Sequence, residues 1–190
     1  MSVSAPTLDS HPHEKAWIAA AKVDPAAFAA IYDHYYGPVY TYVRYRLPDA
    51  AQADDVTAQI FERVLTSLAR YEPEQGAFAI WLFAIARNAV TDQLRRLRRR
   101  RWLSFDRLQE WVCDAPQPEE RVIRGEEQQV LLNALAKLSD RERDLLALKF
   151  AGQLTNRRIA GLTGLTESNV GVILFRALRR LRAELEAGDA

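Results

Sequence analysis

The chain of 190 residues contains one cysteine, Cys113. No intramolecular disulfide can form and no cluster of thiolates can hold a metal within one chain, which suits a reducing compartment. Long apolar runs are missing as well. The longest, residues 77–86, is too short to span a bilayer and stops at Arg87. The opening residues, MSVSAPTLDSHPHEK, lack the apolar segment of a secretory signal. Membrane insertion is therefore not expected, and the expected location is the cytoplasm. There is no glycine-rich phosphate loop, no HExxH and no spacing that suggests a Ser/His/Asp constellation, so neither an enzyme nor a bound cofactor is expected. His11 and His13 have no evident third metal ligand. Asp54 and Asp55 are neighbours on one helix and diverge around its axis, a poor chelate for a nuclease metal. The net charge of +1 excludes a histone-like coat of positive charge.

That small sum conceals an uneven distribution. Arginines crowd into residues 95–101 and 176–182, and acids into 106–127. The placement of charge, more than its total, is the electrostatic footprint. The stretch AFAIWLFAIARNAVTDQLRRLRRRR, residues 77–101, joins the two themes. Phe78, Trp81, Leu82, Ile85, Ala89 and Val90 recur at helical spacing and predict a buried face. Arg87, Asn88, Thr91 and Asp92 open the other face, and the last turns are almost pure arginine. A helix rooted in a core at one end and cationic at the other is a platform for a polyanion.

Upstream, residues 1–14 read as a loose tail. Asp24 followed by Pro25 predicts a helix start, an acidic cap and then a proline whose missing N–H costs nothing there. This helix carries Phe28, Ile31, Tyr32 and Tyr35 and is expected to stop at Gly37 and Pro38, with a short aromatic helix following up to Pro48. The tyrosines suggest a packed core with hydroxyls at its rim. Asp49 caps a third helix reaching about Ala69, with Val56, Ile60, Phe61, Val64, Leu65 and Leu68 as its buried stripe. Its outward side shows Asp54, Asp55, Gln59, Glu62 and Arg63. The loop RYEPEQG then leads into the central helix. Residues 103–126 mix acids and prolines with little periodicity and read as a flexible linker.

Helical periodicity returns at Glu127, with Val130, Leu131, Ala134 and Leu138 on one stripe. Ser139 and Glu142 form a capping box, opening a helix that Gly152 closes. In LTNRRIAGLTGLTESNVGVILFRALRRLR, Thr155 and Thr166 cap two helices separated by the short turn Thr163, Gly164, Leu165. Val170, Leu174, Leu178 and Leu181 are expected to face inward. Ser168, Asn169, Val172, Phe175, Arg176, Arg179 and Arg180 are expected to face wholly or partly outward. Two such helices are a helix-turn-helix, whose second helix fits a major groove.

Two matches now coincide. DDVTAQIFERVL followed by FAIWLFAIARNAVTDQLRR resembles the promoter-melting domain of the sigma-70 family. LLNALAKLSDRERDLLALKFAGQLTNRRIAGLTGLTESNVGVILFRALRRLR resembles that family's domain for the upstream promoter element. With an acidic linker between them, the layout is similar to the compact extracytoplasmic-function (ECF, group 4) sigma factors of bacteria, over residues 15–185. The resemblance implies an all-α protein: a tail at 1–14, a region 2-like domain at 15–102, a linker at 103–126 and a region 4-like helix-turn-helix domain at 127–186. It implies binding to the clamp and flap of RNA polymerase core, to promoter DNA and to an anti-sigma factor, in the bacterial cytoplasm at the nucleoid.

Residue by residue, it puts Asp54, Asp55, Gln59 and Glu62 on the clamp. The loop at 70–77 and Asn88 capture a flipped base of the −10 element, with Arg87, Thr91, Arg95, Arg96, Arg98 and Arg99 on neighbouring DNA. The −35 element meets Ser168, Asn169, Val172, Phe175, Arg176 and Arg179. Gly171 and Val172 stand where relatives often carry a basic and a hydroxyl residue, so Arg176 is expected to dominate −35 discrimination. Arg158 stands where a capping-box glutamate is common. A helix-turn-helix regulator acting without polymerase is the competing reading, and it leaves the N-terminal domain without a role.

Overall fold

The computed structural model describes residues 12–104 and 122–188, all-helical apart from turns among those residues. Residues 1–11, most of the linker and Cys113 lie outside them. The first helix, α1 (Glu14–Val23), starts inside the stretch read as a tail. Its Glu14 is buried and accepts a hydrogen bond from the hydroxyl of Tyr35. Asp24 caps as expected, accepting the Ala26 N–H at 2.9 Å above a 3-10 turn, Pro25–Phe28.

That turn runs directly into α2 (Ala29–Arg46), which passes unbroken through Gly37 and Pro38 where a stop was expected. Proline there forfeits one intrahelical hydrogen bond. The continuous burial of Ile31, Tyr35, Val39, Tyr42 and Val43 along one face outweighs that local penalty. Nor do all the hydroxyls sit at the rim. Tyr35 and Tyr42 are fully buried, their hydroxyls held by Glu14 and Asp144.

Helix α3 (Ala50–Ser67) is capped by Asp49, whose carboxylate accepts the Gln52 N–H at 2.7 Å. Val56, Ile60, Phe61 and Val64 are buried, while Leu65 is exposed. A loop with two 3-10 turns, Leu68–Arg70 and Pro73–Gln75, leads to α4 (Phe78–Ser104). On α4 Phe78, Leu82, Phe83, Ala86, Ala89 and Val90 are buried, and Trp81 and Ile85 pack at the core's edge.

The second half comprises α5 (Val122–Ala136), α6 (Asp140–Phe150), α7 (Asn156–Thr163) and α8 (Glu167–Gly188). The α5 helix begins within the stretch read as linker. Leu132, Leu135 and Leu138 are buried, and Val130 is exposed, contrary to expectation. The Ser139 capping box forms: Ser139 Oγ accepts the Glu142 N–H at 3.3 Å and Glu142 accepts the Ser139 N–H at 3.0 Å. That hydroxyl, followed by the Ser139 N–H and the nearby Arg180, holds the Glu142 carboxyl below the usual range against a partial burial cost. Gly164 adopts φ 72°, the left-handed conformation that closes α7 and starts the turn.

On α8, Val170, Leu174 and Ala177 are buried while Leu178 is 41% exposed. Steps of four residues overshoot a 3.6-residue turn by about 40° each, so position 178 drifts off the face and 177 replaces it. Gly152 follows directly on the end of α6, as expected, and the positive φ beyond it belongs to Gln153. Gly152 is instead demanded by close approach. A Cβ there would meet the Leu148 carbonyl at 2.8 Å and the Phe83 ring of α4 at 3.2 Å.

That contact is one of several between the two helical halves. The two halves pack on each other, α2 against α6 and α4 against α7, and share one buried cluster.

Because α2 is continuous and an added Cβ at exposed Gly37 meets nothing within 4 Å, Gly37→Ala should stabilise the chain by about 0.5–1 kcal/mol. Equilibrium denaturation in urea reads this directly. A loss of stability would instead show that Gly37 ends a helix.

Candidate nucleic-acid and polymerase interfaces

Helix α4 carries the first set of candidate residues, and its geometry divides them. At about 100° per residue, Arg87, Thr91 and Arg98 fall on one strip with Leu94. Asn88, Asp92, Arg95 and Arg99 fall on a neighbouring strip, with Arg96 further round. The second strip is exposed, as read from the sequence. The first is not free, because α6 and α7 lie against it.

The Arg87 guanidinium donates from Nε to Asp144 Oδ2 at 2.7 Å and from Nη1 to the Leu162 carbonyl at 3.2 Å. Arg98 pairs with Asp140. Thr91 is half-buried beside a polar cleft of about 300 Å³, which Arg95, Arg141, Thr163 and Leu165 also line. The expectation that Arg87 and Thr91 point outward together with Asn88 is therefore corrected.

Asp144 is the hub of this contact and is 7% exposed. Its Oδ1 accepts the Tyr42 hydroxyl at 2.8 Å and lies 3.6 Å from Arg46 Nε. Arg46 is buried too and donates to the Asp140 carbonyl at 2.5 Å. Burial and the Asp144 charge push the Tyr42 hydroxyl well above its ordinary pKa, so it remains a donor. Desolvation, followed by the charges of Arg46 and Arg98, pulls Arg143 below the usual guanidinium value. Sequence reasoning missed this cluster. A signal was there: Asp144 shares a helix face with Ala147, Leu148 and Ala151, and Arg46 continues the face of Tyr42 and Val43.

Helix α8 presents the second set on one ridge. Ser168, Val172, Phe175 and Arg179 form a strip flanked by Asn169 and Arg176, all exposed, with Phe175 64% exposed. The Thr166 hydroxyl accepts the Asn169 N–H at 3.2 Å and fixes the start of the helix. Arg176, Arg179 and Arg180 edge a shallow cationic hollow, and Arg180 also reaches Glu142 at 3.2 Å. Packing does not require Gly171, since a Cβ there would sit 3.7 Å from Asn156, an ordinary contact.

The third set lies on α3, where Asp54, Asp55, Gln59 and Glu62 are all exposed. The structure adds an aromatic margin that the sequence reading had placed in the core. Tyr32, Tyr36 and Leu65 are exposed, both tyrosines pack on Phe61 of α3, and Tyr36 stacks on Tyr40 with centroids 5.7 Å apart. The Tyr40 hydroxyl is raised by partial burial and then by the charge of Asp54. Acid and aromatics thus form one continuous surface across α2 and α3.

Among the described residues, no group of three or more His, Cys, Asp or Glu side chains is placed to hold a metal ion. No helix among them is long and apolar enough to cross a membrane.

Comparison with known proteins bears on both halves. The family profile for sigma-70 region 2 matches residues 31–100, and that for sigma-70 region 4 matches residues 128–181. The ECF RNA polymerase sigma factor BldN of Streptomyces coelicolor is 30% identical over 164 residues, 86% of this chain and 62% of that protein. The ECF RNA polymerase sigma factor ShbA of Streptomyces griseus is 32% identical over 146 residues, 74% of this chain and 76% of that protein. Among solved structures, the sigma factor RpoE of Bartonella quintana, in complex with the anti-sigma factor NepR, superposes with a TM-score of 0.68. That match is 20% identical and covers 84% of this chain and 96% of the other, a likeness of fold. An acidic α3 face, a basic α4 and an exposed recognition helix thus sit on a chain matched in both halves: it belongs to the extracytoplasmic-function sigma factors of the sigma-70 family.

Proposed function

We propose that this sigma factor docks on the RNA polymerase clamp through Asp54, Asp55, Gln59 and Glu62 of α3, with the margin of Tyr32, Tyr36 and Leu65. In this reading the exposed strip of α4 opens the −10 element. Asn88, with a donor and an acceptor, takes a flipped base beside the loop at 70–77, and Arg95, Arg96 and Arg99 hold phosphates. Helix α8 enters the −35 major groove, where Arg176 reads a base and Arg179 grips the backbone. Residues 15–102 and 127–186 serve as the two functional domains, the second also touching the polymerase flap. The protein is a transcription factor of the cytoplasm and nucleoid without catalysis of its own, and an anti-sigma factor is its expected regulator.

The observation that carries this reading is the separation of chemistries. Three exposed sets, one acidic and two basic or polar, stand on three different helices whose inner faces are buried in one core. Polymerase can then be held on one side of the chain and DNA on another.

Charge reversal at Asp54→Lys and Asp55→Lys should weaken binding to core polymerase while circular dichroism and melting stay near wild type, because exposed helix positions tolerate change. Normal binding by the double variant would place the clamp face elsewhere.

The two DNA-facing helices should also be separable in transcription from promoters carrying single-base changes. Arg99→Ala should lower activity on every promoter and reduce the salt slope of DNA binding by roughly one unit. The cost of Asn88→Ala should depend on the −10 base. Arg176→Ala should relax discrimination at one −35 position by about 1–3 kcal/mol. If Arg99→Ala changed base preference while the other two lowered activity evenly, the assignment of roles would be reversed.

A further inference from the structure

We infer that α1 is a brace for the loop at 70–77, in which Lys22 holds the loop backbone at Tyr71 and so sets how sharply the −10 base is discriminated. The inference rests on the reading of that loop and Asn88 as the −10 capture site, and it names Lys22 as a positioning residue for it.

Three observations support it. The first is an element fastened at both ends. Helix α1 carries none of the clamp, −10 or −35 residues. In its first turn Glu14 is buried and accepts the Tyr35 hydroxyl. In its last turn the Lys22 ammonium donates to the Tyr71 carbonyl at 2.6 Å. Ile18 and Ala21 between them are buried. The helix dipole alone favours a lysine in a last turn. Lys22 does more: its partner lies 49 residues along the chain, and the ammonium also sits 5.9 Å from the centre of the Tyr71 ring.

The second is what Tyr71 does for the loop. Its side chain is buried while residues 72–75 are exposed. The hydroxyl donates to the Gly76 carbonyl at 2.9 Å, so the side chain spans the loop from one end to the other. The ring meets Phe78 edge-on with centroids 5.2 Å apart and packs against Trp81 at 5.3 Å. Phe78 in turn packs at 5.4 Å against Tyr35, the tyrosine that Glu14 holds. Both fastenings of α1 therefore close on one aromatic cluster, and the loop is built on it.

The third is register. Trp81 and Asn88 are seven residues apart, which returns a helix to nearly the same side after two turns, about 10 Å along its axis. A loop seated on Phe78 and Trp81 is thereby set at a fixed distance from Asn88. Discrimination between bases needs polar groups held in place by a supporting shell, and a small drift of one wall loosens it. Lys22 is exposed, so losing its bond should cost the fold little while freeing the Tyr71 carbonyl.

The test uses holoenzyme assembled from purified core polymerase and the full chain. Run-off transcription is read on DNA from upstream of the chain's own gene, with single-base changes through the −10 element. Lys22→Met should reduce the ratio of activity on the preferred and next-preferred base about threefold. The loss should fall at the −10 position where Asn88→Ala also acts. Core binding, the response to −35 changes and the melting temperature should stay near wild type. Lys22→Arg, whose guanidinium can donate to the same carbonyl, should restore most of the ratio. Tyr71→Phe, which keeps the ring and frees the Gly76 carbonyl, should lower the ratio at that same position. An unchanged ratio in Lys22→Met, or an even loss on every promoter, with Asn88→Ala still acting on one base, overturns the brace and leaves the −10 reading standing. A loss in Lys22→Arg as deep as in Lys22→Met also overturns it. If Asn88→Ala leaves base preference unchanged, the −10 reading falls and the brace with it.

Discussion

The structure depends on how one buried carboxylate, that of Asp144, is supplied with partners inside the protein. Taking a carboxylate out of water costs several kcal/mol unless partners replace the lost hydration. Here α2 supplies two of them, the Tyr42 hydroxyl and the Arg46 guanidinium, and α4 supplies a third, Arg87. Each partner comes from the first half of the chain and the acid from the second. The relative placement of the two helical units is therefore set by satisfying one charge. The Phe83 ring against Gly152 adds a shape constraint beside it.

The same constraint orders the functional surfaces. With α6 and α7 seated on one strip of α4, the neighbouring strip with Asn88, Arg95 and Arg99 remains exposed. The α8 ridge, opposite the inward face of Val170, Leu174 and Ala177, is likewise exposed. The acidic and aromatic surface of α2 and α3 lies on helices whose opposite sides fill the core. Binding chemistry is thus arranged by which helix faces the packing leaves uncovered.

Much of this was legible in the residues. The caps at Asp24, Asp49, Ser139, Thr155 and Thr166 all form, since each is a local match between a side-chain oxygen and an orphan N–H. The exposure of the α3 and α8 sets followed from helical periodicity. Local reasoning failed where distant parts of the chain decide. Gly37 and Pro38 looked like a stop, yet burial on both sides of them carries the helix through. Leu178 and Val130 looked buried by simple spacing, but accumulated helical phase turned them outward. Asp144 and Arg46 were passed over because their partners, Arg87 and Asp140, lie 57 and 94 residues from them along the chain. Nothing in a local window reports such a pairing.

The central claim is that this chain directs transcription initiation by joining core polymerase to a promoter. Run-off transcription with purified core polymerase, the full chain and DNA from upstream of its own gene tests it most directly. The account predicts a discrete transcript that requires both the chain and core. DNA binding by the chain with no transcript and no association with core would contradict it.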